Sequence, residues 1–349
     1  MPKKKSAPAR EEPIAHAHAA IALFSGGLDS QLSVRLMQNQ GIGVTALHFT
    51  SPFFGAGDEA TGKYNARRSA DILGVPLVVH DLGGDYLEML RNPNHGYGKA
   101  VNPCVDCHAW MFRVARGLMP EYGADFVVSG EVLGQRPMSQ RKDTLRVVER
   151  ESGLMGLLLR PLSARFLPPT IPEQEGWVDR EKLFGITGRS RKVQMRLAHE
   201  LGMEDYPSPA GGCLLTELSF QGKIRDLFTH NQIMDPLDFR LLRLGRHFRL
   251  SPDVKLIVGR NEENNRLLEE AARPGMAYLR WLDGGSPMGV VVGGADDEQL
   301  GSAARILLRY TRAEAGIQCR ILVVSDGVEG EIVVGNDYGE EQVAAMLIM

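Results

Sequence analysis

Residues 20–30 read AIALFSGGLDS, and this stretch decides the fold of the first part of the chain. The apolar run 20–24 is typical of a buried parallel strand, and the helical pattern QLSVRLMQNQ follows the turn SGGLDS. Two glycines between a strand and a helix let the backbone approach an anion closely, and the amides at the helix start favour negative charge. The stretch therefore predicts a phosphate-binding loop, to which Ser25 and Ser30 add hydroxyl donors.

Asp29 differs from the other residues of this loop. A carboxylate repels phosphate, so we expect Asp29 to face Mg²⁺ or to fix the loop. The sequence lacks the Walker pattern GxxxxGK[ST], with its obligatory lysine. SGGLDS after a strand instead resembles the pyrophosphate loop of the PP-loop ATPases. That resemblance implies cleavage of ATP between its α and β phosphates, adenylation of a carbonyl oxygen and release of pyrophosphate.

Length and composition favour a two-domain globular enzyme. The chain has 349 residues, of which 43% are hydrophobic and 24% charged, with a net charge of −3. Its longest apolar runs fall well short of the ~20 residues of a membrane span. The start MPKKKSAPAREEP has no apolar core, which is atypical of a signal peptide, so we expect a cytoplasmic protein with no membrane partner, and a homodimer is possible.

Strand and helix patterns alternate from Ala20 onward, which predicts a parallel sheet with covering helices. Further strands are predicted at 44–50, 75–82 and 124–132, and helices at 64–74 and 107–123. Ligands of such sheets bind at the carboxyl ends of the strands, where the loop 25–30 and the segments 50–51 and 129–131 would meet. A GIGVTA sequence at 41–46 precedes a strand instead of following one, so we do not interpret it as a dinucleotide fingerprint.

The predicted domain limits follow these patterns. We expect a disordered tail at 1–18, a PP-loop α/β domain for ATP use and thiolation at 19–217, and a connecting helix at 218–239. Two short helices are predicted within 178–203, the second strongly basic. Residues 240–349 read as a small α+β domain with several short apolar strands and two helical patterns.

Four cysteines carry the second chemical signal. Cys104 and Cys107 form CVDC in a loop that we expect just before a helix, Cys213 lies far downstream, and Cys319 falls in an apolar strand pattern typical of a core residue. A zinc ribbon would need a second CxxC or a Cys/His pair, which the sequence lacks. Three cysteines suit a 4Fe–4S cluster with one open iron, or a persulfide with a resolving thiol. Three unrelated buried thiols are the remaining alternative.

Taken together, SGGLDS, NPCVDCH (102–108) and a downstream Gly-Cys resemble the tRNA thiolation branch of the PP-loop ATPases, which includes 2-thiouridylases and 4-thiouridine synthetases. The resemblance covers roughly residues 19–217. It implies that Cys107 and Cys213 are catalytic together with Asp29. The likeness to the iron–sulfur-dependent thiolases implies Cys104, Cys107 and Cys213 as ligands of a 4Fe–4S cluster.

The same resemblance implies where ATP and Mg²⁺ bind and which partners act. The expected nucleotide-binding residues lie on the loop and on neighbouring strand ends: Ser25, Gly26, Gly27, Asp29, Ser30, His48, Phe49, Thr50, Gly130 and Arg136. The segment RLGRHFRLSPDVKLIVGRNEENNRLL (243–268) resembles the NFACT-R RNA-binding module. The implied partners are tRNA and a sulfur donor, which could be a cysteine desulfurase, a sulfur carrier or free sulfide.

Each of two basic segments could either bind a ligand or lie exposed to solvent. In LGQRPMSQRKD (133–143), a binding role is favoured for Arg136, Ser139 and Gln140, whereas Lys142 could equally be solvated. GRSRKVQMR (188–196) could contact an RNA backbone or form an exposed basic helix face. The sequence predicts an ATP-dependent tRNA sulfurtransferase, with a sulfurtransferase for a small molecule or a protein-bound cofactor as the alternative.

Overall fold

The computed structural model of the protein describes residues 16–54, 66–206, 213–231, 235–271, 273–285 and 287–349. They fall into two compact units. The first unit takes its described residues from Met1–Ser51, Gly55–Leu82 and Cys104–Gly211, and the second from Pro52–Phe54, Gly83–Pro103 and Gly212–Met349. The predicted limits 19–217, 218–239 and 240–349 stay a prediction. In the part of the chain that the structure describes, every helix is too short or too polar to span a bilayer.

A five-stranded parallel sheet forms the centre of the first unit, in the order β3-β2-β1-β4-β5. Its strands are β1 Ala19–Leu23, β2 Gly43–Thr50, β3 Leu77–Asp81, β4 Phe126–Ser129 and β5 Leu158–Leu159. The strand order reverses at β1, which pairs with β2 on one side and β4 on the other. Because ligands of open parallel sheets bind beyond the strand ends at such a reversal, the topology directs attention to the ends of β1 and β4.

The α-helices of both units follow in chain order. They are α1 Leu28–Gln38, α2 Ala66–Leu73, α3 Gly83–Arg91, α4 Cys104–Leu118, α5 Lys142–Ser152, α6 Ile171–Gln174, α7 Lys192–Glu200, α8 Leu218–His230, α9 Pro236–Leu241, α10 Glu262–Glu270, α11 Asp297–Leu308 and α12 Glu340–Met346. Short 3-10 helices lie at Ala164–Phe166, Arg180–Lys182 and Leu214–Thr216. The basic helix predicted within 178–203 is confirmed as α7, and its predicted neighbour is only the 3-10 turn at Arg180–Lys182.

Helices cover both faces of the first sheet. Ala20 and Ala22 of β1 share one core with α1, α2 and α7, whereas Ile21, which alternates with them, is buried on the opposite face. On that side α4 contacts β1 and packs against α5. The sequence missed α5 because its first residues lie in the basic loop 133–143, although Leu145 and Val148 give it a buried face.

The start of the first unit is held by two histidines from the predicted tail. The Nδ1 atom of His16 lies 3.0 Å from the carbonyl oxygen of Gly41. His18 stacks on Trp177 with ring centroids 4.5 Å apart and lies 3.3 Å from the carboxylate of Asp125. The expectation of a tail up to residue 18 is therefore wrong for these residues, and residues 1–15 lie outside the described part of the chain.

The second unit is built on a six-stranded antiparallel sheet in the order β11-β10-β8-β9-β7-β6. Its strands are β6 Arg246–Ser251, β7 Val254–Val258, β8 Met276–Trp281, β9 Gly289–Val292, β10 Gln318–Ser325 and β11 Val328–Gly335. Helix α11 packs its buried residues into the main core of this sheet, where Cys319 is buried as predicted. The predicted fold class is confirmed, since a PP-loop-like α/β sheet and an α+β domain are both present.

Candidate active site

The loop between β1 and α1 has the geometry of a phosphate cradle. Gly26 has a φ of 74°, a left-handed conformation that glycine adopts without strain. The hydroxyl of Ser30 donates to the carbonyl oxygen of Gly27 at 2.8 Å, and the Gly27 amide donates to the Ser25 hydroxyl at 3.2 Å. These bonds hold the backbone in a tight turn at the start of α1 with Ser25 exposed, so the predicted loop residues lie together at the strand end.

Gly130 follows β4 and lies directly against this loop. A Cβ atom at residue 130 would stand 2.7 Å from the carbonyl carbon of Asp29 and 2.7 Å from the amide nitrogen of Ser30. Side chains of any other residue would displace the backbone at the start of α1. The structure therefore explains why glycine occurs here, and it brings the ends of β1 and β4 together as the strand order implies.

Asp29 is held on one oxygen and unpaired on the other. Its Oδ2 accepts a hydrogen bond of 2.8 Å from the side-chain amide of Gln135, whereas its Oδ1 is buried and has no hydrogen-bond partner. An unpaired buried carboxylate oxygen is costly unless a cation or a donor completes it. Because Mg²⁺ is usually bound through one or two carboxylates together with phosphate oxygens, Asp29 fits the expected metal chemistry.

The end of β2 contributes a polar rim beside the loop. The Nδ1 atom of His48 donates to the carbonyl oxygen of Phe24 at 2.8 Å, since a carbonyl can only accept. Thr50 donates its hydroxyl to Asp81 at 3.1 Å. Phe49 is buried and meets the ring of His80 edge-on at 5.7 Å, so its side chain belongs to the core and only its backbone is available at the sheet edge.

The two cysteines of CVDC lie in the first turn of α4, and the expected loop position is wrong. The helix begins at Cys104 instead of residue 107. A spacing of three residues puts Cys104 and Cys107 on the same side of the helix, and both are half-buried. The amides of a helix start stabilise thiolates, so this position favours both thiols as nucleophiles or ligands.

A buried chain of charged side chains links Cys104 to the end of β4. His108 hydrogen-bonds to Cys104, and its Nδ1 lies 2.8 Å from Oε1 of Glu131. The other oxygen of Glu131 accepts a bond of 2.8 Å from Nε of Arg160, and Arg160 also pairs with Glu149. Arg160 is 1% exposed, so its charge depends on these two carboxylates.

The neighbouring side chains determine the protonation states of His108 and Glu131. Burial by itself lowers the pKa of His108, but the hydrogen bonds to Cys104 and Glu131 outweigh it and raise this pKa to about 9. Burial by itself raises the pKa of Glu131, but the charge of Arg160 and the bond to His108 lower it to about 2. Near neutral pH His108 is therefore a positively charged imidazolium beside Cys104, and Glu131 is an ionised carboxylate that hydrogen-bonds to His108.

The loop after β4 positions the expected polar residues unequally. Ser139 and Gln140 are buried, and Gln140 accepts a hydrogen bond of 3.0 Å from the backbone amide of Arg136. The side chain of Arg136 is exposed, whereas Arg141 pairs with Asp143 beside it. Ser139 and Gln140 therefore shape the loop, whereas the exposed side chains of Arg136 and Lys142 are accessible to a ligand.

The basic segment 188–196 lies alongside this loop. Leu133 forms a parallel bridge with Thr187, and the Gly188 amide donates to the Leu133 carbonyl at 2.8 Å. Along the segment Arg189, Lys192 and Arg196 are exposed to solvent or to a polyanion, although Nε of Arg196 lies 3.7 Å from the carboxylate of Glu200.

Cys213, the third predicted ligand, belongs to the second unit. It precedes the 3-10 turn Leu214–Thr216, is half-buried, and its carbonyl oxygen accepts a bond of 2.6 Å from the Thr216 hydroxyl. Within the described ranges no group of three or more His, Cys, Asp or Glu side chains is arranged to hold a metal ion. The ligand set Cys104, Cys107 and Cys213 stays a prediction.

Sequence reasoning missed His108, Arg160 and the pair Gln135 and Gln194 as site residues. His108 directly follows CVDC, and an arginine within the apolar run LLLRPL is an available sign of a buried ion pair. Gln135 lies in the recognised loop, but its bond of 3.1 Å from Gln194 joins residues 59 positions apart. No local pattern predicts such a contact.

Two family models match separate parts of the chain. Residues 16–165 match the family described as "Thiamine biosynthesis protein (ThiI)", and residues 245–346 match "NFACT protein RNA binding domain". The chain therefore combines a ThiI-type PP-loop domain with an NFACT-type domain, as the sequence motifs suggest.

Similar proteins include tRNA-modifying enzymes. The tRNA-specific 2-thiouridylase MnmA of Methylorubrum extorquens (strain PA1) is 25% identical over 360 residues, which cover 90% of this chain and 88% of that protein. The probable tRNA sulfurtransferase of Methanothermobacter thermautotrophicus is 34% identical over 118 residues, or 33% of this chain and 29% of that protein.

Solved structures show weaker likeness. A 4-thiouridine synthetase–RNA complex with bound ATP has 23% identity and a TM-score of 0.36, covering 54% of this chain and 43% of that one. The U34-tRNA thiolase NcsA from Methanococcus maripaludis with its [4Fe-4S] cluster has 15% identity and a TM-score of 0.34, covering 61% and 66%. These scores are low, so the likeness to tRNA-modifying enzymes rests on the sequence matches.

Proposed function

We propose that this protein, with its ThiI-type first domain, is an ATP-dependent tRNA sulfurtransferase that replaces a uridine carbonyl oxygen with sulfur. The single observation that carries the proposal is the hydrogen-bonded chain from Cys104 through His108 to Glu131, next to Gly130 and the SGGLDS loop. It joins a thiol to the same sheet edge that would bind ATP. The family match and the tRNA-modifying relatives support this assignment.

The first half of the reaction is activation of the uridine oxygen. The exposed hydroxyl of Ser25 and the amides at the start of α1 would hold the pyrophosphate part of ATP, and Arg136 is placed to add a bidentate contact. Mg²⁺, when bound, supplies charge neutralisation on the phosphates, and Oδ1 of Asp29 would hold it. The uridine oxygen attacks the α phosphate, an O–P bond forms, and pyrophosphate leaves.

The second half is sulfur transfer. A hydrosulfide-level sulfur nucleophile attacks the activated carbon, a C–S bond forms, and the C–O bond breaks as AMP leaves with its electron pair. The net reaction consumes ATP and hydrosulfide and gives AMP and pyrophosphate. The His108 imidazolium would stabilise negative charge on the sulfur of Cys104, and Glu131 would keep that imidazolium charged and oriented.

The proposal has two forms, which differ in the group that carries the sulfur. Thiolates are the ligands of iron–sulfur clusters, and Cys104 and Cys107 on one side of α4 would hold a 4Fe–4S cluster together with Cys213. Such a cluster, when bound, supplies an open iron for sulfur. Alternatively, Cys107 carries a persulfide whose outer sulfur attacks the activated carbon. Cys213 then attacks the Cys107 sulfur, the S–S bond to the transferred sulfur breaks, and the resulting Cys107–Cys213 disulfide is reduced by an external thiol, so this form consumes a persulfide donor and a reductant instead of hydrosulfide. Anaerobically purified protein with roughly four irons per chain supports the first form, and iron-free, fully active protein supports the second.

RNA is the proposed acceptor for two reasons. Residues 245–346 match an RNA-binding domain family, and exposed Arg189, Lys192 and Arg196 flank the active-site loop in the first unit. Such cations bind the phosphate backbone and make binding depend on salt. The variant Lys192→Ala/Arg196→Ala should therefore weaken tRNA binding at low salt and reduce the salt dependence of binding.

The test of the proposed function is nucleoside analysis. Mass spectrometry of tRNA from a deletion strain should show one thiolated uridine missing, and the intact gene should restore it. An Asp29→Ala gene should not restore it, because Asp29 is the carboxylate of the pyrophosphate loop. Retention of every thiolated nucleoside in the deletion strain would contradict the proposal. It would favour the alternative, a sulfurtransferase for a small molecule or a protein-bound cofactor.

A further inference from the structure

We propose that Gln135 and Gln194 are positioning residues that orient Asp29 for catalysis, and this inference rests on the proposed function. They form a ladder in which Gln194 donates to Oε1 of Gln135 at 3.1 Å, and Gln135 donates to Oδ2 of Asp29 at 2.8 Å. The ladder leaves Oδ1 of Asp29 as a buried acceptor without a hydrogen-bond partner at the pyrophosphate loop.

The direction of the ladder is fixed by chemistry. The carboxylate of Asp29 can only accept, so the amide nitrogen of Gln135 must face it. The oxygen of Gln135 then points away and must receive a donor, which is the amide nitrogen of Gln194. Neither glutamine can be replaced by glutamate without removing a donor from the ladder, so the residue type is specified at both positions.

Burial makes the ladder costly to build for packing alone. Gln194 is 0% exposed, and its own Oε1 is buried without a hydrogen-bond partner. A leucine or methionine would fill the same interior position of α7 without an unpaired oxygen. Retaining a glutamine there is consistent with a task that needs its donor, and the donor points through Gln135 to Asp29.

The ladder also restricts the motion of Asp29. An aspartate at the start of a helix can rotate about two side-chain bonds, and one fixed oxygen removes most of that freedom. A metal ion that binds nucleotide phosphates and one carboxylate oxygen is sensitive to the position of that oxygen. Loss of the ladder should therefore reduce the rate of the chemical step more than it weakens the binding of ATP.

The first measurement uses the full chain with methionine variants, which are close in size to glutamine. We expect Gln135→Met to reduce kcat for tRNA-dependent pyrophosphate release roughly tenfold, since a bond to a charged group is lost. The KM for ATP should change less than twofold. Gln194→Met acts one bond further away, and we expect a decrease of roughly threefold.

A double-mutant cycle separates a ladder from two independent effects. If Gln194 acts through Gln135, adding Gln194→Met to Gln135→Met should cause no further loss. Gln194→Glu keeps the size but cannot donate and places a buried negative charge against Oε1 of Gln135, so it should reduce kcat at least as much as Gln194→Met. The matched control is Gln38→Met, because Gln38 lies at the other end of α1, donates to the Leu73 carbonyl and also has a buried unpaired oxygen.

A second readout does not depend on turnover. Electron paramagnetic resonance of Mn²⁺ with the non-cleavable analogue α,β-methylene-ATP reports the ion's surroundings in each variant. We expect altered spectra for Gln135→Met and Gln194→Met but an unchanged spectrum for Gln38→Met. Unchanged spectra and unchanged kcat in both ladder variants would overturn the proposal. Failure of the proposed function is distinguishable, because the wild-type protein would then release pyrophosphate without forming thiouridine.

Discussion

Each unit buries a cluster of ionisable groups, and the two clusters follow opposite rules. The paired cluster of the first unit contains His108, Glu131, Glu149 and Arg160, in which every cation meets a carboxylate. The basic cluster of the second unit contains Lys223, His247 and Lys255, and here Lys255 has a carboxylate at the limit of ion-pair distance, with its Nζ 3.9 Å from Oδ2 of Asp226. Lys223 donates to the carbonyl oxygens of Leu242 and Gly245, each at 3.1 Å.

The difference appears in the direction of the pKa changes. Partners raise the pKa of His108 to about 9 and lower that of Glu131 to about 2, so the paired cluster favours its charged forms. In the basic cluster burial lowers the pKa of Lys223 and of Lys255 to about 8, and neighbouring cations add to the effect on Lys223. Buried side chains that stay charged beside a thiol indicate a catalytic role. A lysine that donates hydrogen bonds to backbone carbonyls indicates a structural role.

The largest expected effect comes from breaking the paired cluster at Arg160. Arg160→Met leaves the buried Glu131 and the half-buried Glu149 without their shared cation, which should lower the free energy of unfolding by about 3–5 kcal/mol. Hydrogen exchange of peptides from α4 and α5 measures this in the intact chain. Arg165→Met is the matched control, because Arg165 is exposed and pairs with Glu181, and it should cost less than about 1 kcal/mol. Equal protection in both variants would show that the paired cluster adds no stability.

The contrast between the clusters also explains what the sequence could predict. The SGGLDS loop was predictable because the strand, the glycines, the hydroxyls and the helix pattern follow one another within residues 20–40. The start of α4 at Cys104 could have been predicted from the preceding Asn-Pro, because proline is common at a helix start. We interpreted this pair as part of a loop instead. The contact of Gly130 with the backbone of Asp29 and Ser30 depends on the pairing of β1 with β4, which a single sequence does not reveal.

Most of the paired cluster was beyond prediction for the same reason. Arg160, Glu131 and His108 come from three elements that only the folded sheet brings together. In the second unit the apolar pattern predicted β8 to β11 but not β6 and β7, because apolar runs indicate a strand only where they are local and uninterrupted. Lys223 and Lys255 gave no sign of burial, since lysines in such patterns are usually exposed.

A smaller effect on stability but a specific effect on chemistry is expected from Glu131→Gln. Glutamine keeps the shape but removes the charge that holds the His108 imidazolium, so sulfur transfer should slow roughly tenfold or more. Pyrophosphate release should persist, because the loop residues are untouched. Quenched-flow measurement of pyrophosphate and thiouridine separates the two steps. Equal slowing of both would place Glu131 in the activation step instead.

The pH dependence of stability should have opposite signs in the two units. For His108 the folded pKa of about 9 exceeds the ordinary value of 6.5, so its stabilisation is complete below pH 6.5 and is lost as the pH rises to 9. For Lys223 and Lys255 the folded pKa of about 8 lies below 10.5, so the unfolded chain binds more protons and stability rises between pH 8 and 10.5. Hydrogen exchange at several pH values, corrected for intrinsic rates, should resolve α4 from β7.

The smallest effect is expected from Lys223→Met, and it sharpens the comparison most directly. The variant loses two bonds to carbonyl oxygens but also removes a cation that burial disfavours, so its stability at pH 7 should change by less than about 1 kcal/mol. Above pH 8 wild-type Lys223 loses its proton and keeps a donor for these carbonyls, so the variant should become relatively less stable as the pH rises. A large loss at pH 7 that does not change with pH would mean that the ammonium is well compensated. The basic cluster would then follow the same rule as the paired one.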